Sequence, residues 1–189
     1  MDNKLRILNY LGKHMHEEYT MHALSKVLQI PYATFYRAIK NLNEMIVVRT
    51  IGKSRVIGLN KGHVLLKSYL TISSEREKKE FLKNQPIIKN IAMGIKILDI
   101  VILFGSYAKG RERSSSDIDL MIINKKGERS ISFDEYEMLF DKKINPIFVS
   151  KREFLQMLMD LEENVGKQVM KDHIILNNPE DFWGLVLNG

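Results

Sequence analysis

The sequence predicts an α+β protein of two domains, in which short helices and a β-hairpin precede an α/β domain that ends in further helices. Three observations support this fold class. Apolar residues recur at helical spacing through the first 45 residues, with a break at Pro31. Two β-branched runs then flank a turn that contains Gly52. A continuous apolar run at residues 100–104 is typical of a buried strand, which places a second sheet beyond the hairpin.

The composition is that of a globular protein. The chain has 189 residues, of which 44% are hydrophobic and 28% charged, and it contains no cysteine. No apolar run is long enough to span a bilayer, and the first residues lack the apolar core of a secretion signal. We therefore expect a cytoplasmic protein without disulfides and without a membrane partner.

The charge is unevenly distributed along the chain. Residues 1–72 contain 11 Lys and Arg against 4 Asp and Glu, whereas residues 73–189 contain 18 against 19. The composition changes near residues 73–80, where two serines precede a run of mixed charge. We therefore predict one domain over residues 1–72 and another over residues 73–189. The basic first part suggests a polyanionic partner, and a solvated basic surface is the alternative.

The first domain has a recognisable order of elements. A helix carrying Leu8 comes first, and Thr20 is placed to cap the second helix. The third helix is predicted over residues 32–45, after the proline. The two β-branched runs, residues 47–51 and 55–59, follow it as a hairpin.

This order, with its basic hairpin tip, resembles the winged helix-turn-helix family over residues 4–60. The resemblance implies a transcription regulator that binds double-stranded DNA as a homodimer, with the third helix in the major groove and the hairpin beside the backbone. Winged helices also serve as protein-binding modules, but the basic charge argues against that use here. For Tyr36, packing in the core is the alternative to contact with DNA. The residues implied to face DNA are Tyr32, Thr34, Tyr36, Arg37, Lys40, Lys53 and Arg55.

The second domain contains a motif that suggests phosphate chemistry. Gly105 and Ser106 follow the buried apolar run, and a polar loop leads to a second strand over residues 118–123. Asp117 and Asp119 are two residues apart, so on a strand both carboxylates lie on one face. Like charges this close repel unless a cation lies between them, and Mg²⁺ prefers such oxygen ligands. Glycine also lets backbone approach a phosphate closely.

The stretch Gly-Ser, ten residues, Asp-x-Asp resembles the signature of the DNA polymerase β-type nucleotidyltransferase superfamily, in its minimal nucleotidyltransferase branch. The resemblance implies that an acceptor hydroxyl attacks the α-phosphorus of a nucleoside triphosphate, which is the substrate, and that pyrophosphate leaves. Lys109 and Arg113 have a solvated loop as their alternative. The implied roles are catalysis and binding of Mg²⁺ or Mn²⁺ for Asp117 and Asp119, and nucleotide binding for Gly105, Ser106, Lys109 and Arg113.

One position departs from the pattern of this superfamily. Its active members usually have a third carboxylate on a neighbouring strand, but Asn145 stands at that place, and neither Asp141 nor Glu153 aligns as a substitute. An amide carries no charge and cannot act as a base. Two functions therefore stay open: a transferase with an unknown acceptor, which could be a protein, or a regulator whose degenerate domain only binds a ligand or mediates dimerisation.

The pattern beyond residue 149 predicts helices. Ser150 is placed as the cap of the first, and a helical pattern then continues through residues 173–176 to a last segment that carries Trp183. These apolar residues are expected in the core or at an oligomer contact. The stripe predicted for the first of these helices consists of Phe154, Leu155, Leu158 and Leu161.

Overall fold

A computed structural model describes residues 1–42 and 44–189. The chain is an α+β protein and divides into two compact units, Met1–Arg76 (unit 1) and Glu77–Gly189 (unit 2). The division falls inside a helix, Leu66–Phe81. The mixed-charge run at residues 75–80 thus continues a helix that begins well before it.

Unit 1 contains a three-stranded antiparallel sheet in the order β1 (Tyr19–Thr20), β3 (Ser54–Leu59) and β2 (Ile46–Ile51). The predicted hairpin is confirmed: Ile51 pairs with Ser54, and the turn between them contains Gly52 at φ 59°. The two-residue strand β1 was not predicted, because its partner lies far along the chain. The elements of unit 1 are α1 (Asn3–Lys13), β1 (Tyr19–Thr20), α2 (Met21–Val27), α3 (Tyr32–Lys40), β2 (Ile46–Ile51), β3 (Ser54–Leu59) and most of α4 (Leu66–Phe81).

Helix α3 ends at Lys40, so its predicted extension to residue 45 is wrong. The backbone N–H groups of Leu42 and Met45 donate to carbonyls three residues earlier, which forms turns rather than a continued α-helix. Both side chains are nevertheless buried. The apolar spacing that suggested a longer helix therefore reflects a turn that is packed into the core.

Unit 2 is built on a four-stranded sheet in the order β6 (Ile144–Ser150), β5 (Ile118–Asn124), β4 (Ile100–Phe104) and β7 (Ile174–Asn177). Strands β5 and β6 are parallel, and the other pairs are antiparallel. No helix in the described parts of the chain combines the length and apolar character that crossing a membrane requires. The elements of unit 2 are α5 (Pro86–Gly94), β4 (Ile100–Phe104), α6 (Gly105–Ala108), β5 (Ile118–Asn124), α7 (Asp134–Phe140), β6 (Ile144–Ser150), α8 (Lys151–Met159), α9 (Val165–Lys171), β7 (Ile174–Asn177) and α10 (Pro179–Asn188).

Helices cover both faces of this sheet. On one face, Val101 and Leu103 of β4 pack in a core cluster with residues of α5 and α6. The alternate residues Ile100 and Ile102 are also buried, and α9 and α10 contact the same strand. A strand that is covered on both faces explains the unbroken apolar run in the sequence.

Two expectations for the C-terminal part are wrong. Leu161 is 99% exposed, because α8 ends at Met159 and the helical stripe stops there. Residues 173–176 do not continue a helix, since β7 (Ile174–Asn177) pairs antiparallel with β4. A short, fully buried apolar run has no periodicity that distinguishes strand from helix.

Candidate functional site

The site begins where β4 ends and α6 starts. Gly105 has φ 73°, a backbone conformation that side chains disfavour. A Cβ added there would lie well inside contact distance of Asp119 Oδ2 and 3.1 Å from its Cγ. Gly105 therefore lets the backbone approach this carboxylate in a way that other residues could not. Ser106 follows in α6 and is half-buried.

The two aspartates lie at the start of β5. Asp117 directly precedes the strand, and Asp119 is in register with Phe104 of β4 and with Asn145 of β6. Because side chains alternate along a strand, both carboxylates lie on the face opposite to Ile118 and its core cluster. The sheet register thus brings β4, β5 and β6 together at this point.

The Asn145 amide links the two carboxylates. Its Nδ2 donates to Asp117 Oδ2 at 3.1 Å and to Asp119 Oδ1 at 3.4 Å. Lys143 Nζ lies 3.9 Å from the same Asp117 oxygen, with the lysine side chain 69% exposed. These donors offset part of the repulsion between the two negative charges. Sequence reasoning missed Lys143, although its place two residues before Asn145 was a signal that both lie on one strand face.

The other flanking carboxylates lie elsewhere. Glu153 accepts hydrogen bonds from the backbone N–H and the hydroxyl of Ser150, both at 2.7 Å, at the start of α8. These bonds lower the pKa of the Glu153 carboxyl. Asp141 is exposed at the end of α7. Glu153 therefore has a structural role at the start of α8, which agrees with its failure to align with a third carboxylate.

Two predicted nucleotide contacts lie in the loop after α6. Lys109 Nζ forms an ion pair with Asp172 Oδ2 at 3.4 Å. Arg113 is exposed, and its backbone N–H donates to Ser116 Oγ at 2.8 Å. Within the part of the chain that the structure describes, neither side chain is seen to contact Asp117 or Asp119. The roles of Lys109 and Arg113 in phosphate binding therefore stay predictions.

Tyr107 packs the short helix α6 against the core of unit 2. The side chain is 4% exposed and belongs to the core cluster of unit 2. Burial raises the pKa of its phenol, and the charge of Glu112 raises it further. Tyr107 is thus a neutral core residue that supports the backbone of Gly105 and Ser106.

The donor set at this site suits a hard cation. Over the described ranges, no three His, Cys, Asp or Glu side chains cluster as a metal-binding group. Asp117 and Asp119 do supply two carboxylates whose oxygens reach one shared donor atom, the Asn145 amide nitrogen. Mg²⁺ typically binds one or two carboxylates together with phosphate oxygens. The residues present therefore fit Mg²⁺ or Mn²⁺ in the company of a phosphate-bearing ligand.

A family model described as Polymerase beta, Nucleotidyltransferase matches residues 86–181, just over half of the chain. The chain belongs to the polymerase beta nucleotidyltransferase family. At the level of this superfamily its function is nucleotidyltransferase-like, and members generally use a nucleoside triphosphate and a divalent metal. Searches of curated proteins and of solved structures gave no match.

Unit 1 lies outside the range that matches the polymerase beta nucleotidyltransferase family. Its helix α3 buries Phe35 and exposes Tyr32 and Tyr36 to 47% and 41%. The two tyrosine rings stack with centroids 6.5 Å apart, and Lys40 Nζ lies 5.2 Å from the Tyr36 centroid. Arg37 is also exposed. We call Tyr32, Tyr36, Arg37 and Lys40 the α3 face.

The remaining residues predicted to contact DNA lie beside this face or on the hairpin. Thr34 is half-buried on α3. Lys53 is exposed in the turn between β2 and β3, and Arg55 is exposed near the start of β3. The core position considered for Tyr36 does not apply, since its ring is exposed on the α3 face.

Proposed function

We propose that this family member transfers a nucleoside monophosphate from a nucleoside triphosphate to the hydroxyl of an unidentified acceptor. The observation that carries the proposal is the convergence of the Asp117 and Asp119 carboxylates on one face, with the Gly105 backbone against Asp119. In this proposal the two aspartates hold Mg²⁺ or Mn²⁺, and Gly105 and Ser106 bind the phosphates.

In this proposal the bound metal and the residues of the chain have different roles in the transfer. A bound divalent metal supplies charge neutralisation for the phosphates and the leaving pyrophosphate. The Gly105 backbone, which lies against the Asp119 carboxylate, binds the phosphates together with the Ser106 hydroxyl, which donates a hydrogen bond to them, and Lys109 and Arg113 add positive charge. Asn145 cannot remove the proton of the acceptor hydroxyl, so β6 supplies no base, and in this proposal the proton passes to solvent water.

Calorimetric titration of ATP and GTP into the full chain with Mg²⁺ tests this function, because binding does not require the acceptor. We expect saturable, Mg²⁺-dependent binding by the natural protein. Asp117→Asn keeps the size of the side chain but removes one of the two charges that hold the cation, so it should weaken binding by about tenfold or more.

Asp141→Asn is the matched control, since it makes the same substitution at an exposed position after α7. This variant should bind the nucleotide as the natural protein does. Equal affinity in Asp117→Asn and the natural protein would contradict the assignment of the aspartate pair. Failure of the natural protein to bind either nucleotide would contradict the transferase function.

A second candidate function is favoured by the Asn145 amide, which stands where active relatives usually have a third carboxylate. In this alternative the chain is a transcription regulator, and unit 2 only binds a ligand or mediates dimerisation. The same titration separates the two functions when it is combined with an assay of pyrophosphate release. Nucleotide binding without release, across a panel of nucleic acid and protein acceptors, favours the regulator.

For unit 1 we propose binding to double-stranded DNA by a homodimer of winged helix-turn-helix domains. Three features support it: the helices followed by a hairpin, the exposed tyrosines and cations of the α3 face, and the basic charge of residues 1–72. Side chains on an exposed helix can read base edges in the major groove, while cations neutralise phosphates. An affinity for duplex DNA that falls steeply with salt tests this part of the proposal.

A further inference from the structure

Asn145 uses both hydrogens of its amide on the two carboxylates. One Nδ2 atom lies 3.1 Å from Asp117 Oδ2 and 3.4 Å from Asp119 Oδ1, and the strand register places Asn145 directly beside Asp119. Each hydrogen bond takes up part of the acceptor capacity of one carboxylate oxygen. The carboxylates are therefore already satisfied in part without a metal.

Lys143 also weakens the binding of a free cation by the aspartate pair. Its Nζ lies 3.9 Å from Asp117 Oδ2, so one of the two negative charges has a cation nearby. A free divalent ion competes with the amide hydrogens for these oxygens and is repelled by the ammonium group. In return it gains only two carboxylates and whatever water it keeps, which is a weak set of ligands.

A nucleoside triphosphate changes this balance. Its phosphates bring further oxygen ligands and several negative charges, and Lys143 can pair with those charges once it leaves Asp117. If the Asn145 amide turned over, its Oδ1 would supply a neutral oxygen ligand for the cation. The same side chain can thus satisfy the carboxylates when no metal is bound and coordinate the metal when it is bound.

We propose that Asn145 is the residue that makes this site take its divalent cation together with the triphosphate rather than as the free ion. The inference rests on the proposed function, because the triphosphate is the substrate assumed there. It assigns Asn145 a role in metal and substrate specificity that a carboxylate at the same place would abolish.

The test measures binding of free Mn²⁺ to the full chain by calorimetry, with no nucleotide present. Asn145→Asp has the same shape but replaces the two donors by a third negative charge, so it should bind free Mn²⁺ at least about tenfold more tightly than the natural protein. Asn90→Asp is the control, since it adds the same charge at an exposed position of α5 and should leave the affinity unchanged. Equal Mn²⁺ affinity in Asn145→Asp and the natural protein overturns the proposal.

A second measurement needs no variant. The side-chain amide resonances of Asn145, assigned in the ¹⁵N-labelled natural protein, should stay in place with Mg²⁺ alone and move with Mg²⁺ and a non-hydrolysable triphosphate together. Movement with Mg²⁺ alone overturns the proposal. If the triphosphate does not bind at all, the proposed function fails, whereas a gain in free Mn²⁺ affinity in Asn145→Asp still supports the part of the inference that concerns the free ion.

Discussion

Gly105 at the start of α6 and Gly110 shortly after its end are both glycines with different roles. Both have positive φ, at 73° and 61°. An added Cβ at Gly110 would meet nothing within 4 Å, whereas at Gly105 it would collide with the Asp119 carboxylate. The conformation is shared, but only Gly105 is also required by a close approach. Substitutions at Gly110 therefore report the cost of backbone strain alone, whereas substitutions at Gly105 also report the collision with Asp119.

We predict that Gly110→Ala loses about 1 kcal/mol of unfolding free energy through backbone strain alone and keeps its nucleotide affinity. Gly105→Ala has the same strain and also displaces the Asp119 carboxylate, so it should lose more stability and weaken Mg²⁺-dependent nucleotide binding by about tenfold or more. Denaturant unfolding and calorimetry measure the two effects. Equal nucleotide affinity in the two variants would show that Gly105 has no role in the site beyond its φ.

At the scale of elements, β6 and α8 are joined by a capping box. The Ser150 hydroxyl accepts from the Glu153 N–H at 3.2 Å, while Glu153 accepts from the Ser150 N–H at 2.7 Å. The helix therefore starts at a defined residue directly after the strand that carries Asn145. This junction was predictable, because Ser followed three residues later by Glu is a local signature of a helix start.

The capping box predicts a pH dependence of stability. The Ser150 hydrogen bonds lower the pKa of Glu153, so the folded state binds its proton less readily than the unfolded state. The stabilisation is present above the ordinary glutamate pKa of about 4.3 and is lost as the pH falls through the lower, folded-state pKa. Between about pH 5 and pH 3, the Tm of the natural protein should therefore fall more steeply than that of Glu153→Gln.

Thermal unfolding at several pH values checks this expectation. Glu135→Gln, which neutralises an exposed carboxylate in the first turn of α7, is the control and should keep the slope of the natural protein more closely. Parallel curves for Glu153→Gln and the natural protein would mean that the capping bonds do not favour the charged carboxylate.

At the scale of the whole molecule, the two units differ in charge as well as in fold. The net charge of +6 comes from residues 1–72, and the remainder of the chain is close to neutral. Unit 1 presents the α3 face and the exposed cations Lys53 and Arg55, while the family match lies within unit 2. We therefore keep the proposed polyanionic partner for unit 1 and the proposed nucleoside triphosphate substrate for unit 2.

We predict that Arg37→Ala and Lys40→Ala each weaken the binding of the full chain to duplex DNA. Each cation that contacts a phosphate releases counterions, so its loss should also reduce the slope of log affinity against log salt by about one. Lys125→Ala removes the same charge from an exposed position after β5 and should change neither quantity. Unchanged affinity and salt dependence in both α3 variants would exclude the α3 face from DNA binding.

Elements that depend on neighbouring residues could be predicted from the sequence, whereas elements that depend on distant partners could not. The hairpin around Gly52 and the helix cap at Ser150 both depend on residues within a few positions of one another, and the structure confirms each. The end of α3 and the strand β7 depend on distant partners. The burial of Met45 comes from tertiary packing, and β7 is a strand because β4 lies beside it.

The α+β class, the spacing of Gly105, Asp117 and Asp119, and the amide at position 145 can all be read from the sequence alone. These follow from residue type and short-range spacing, which the chain carries without folding. The donation of the Asn145 amide to both aspartates and the position of Lys143 beside Asp117 become visible only in the folded chain. Those contacts depend on the parallel register of β5 and β6, which is set by packing between segments more than twenty residues apart.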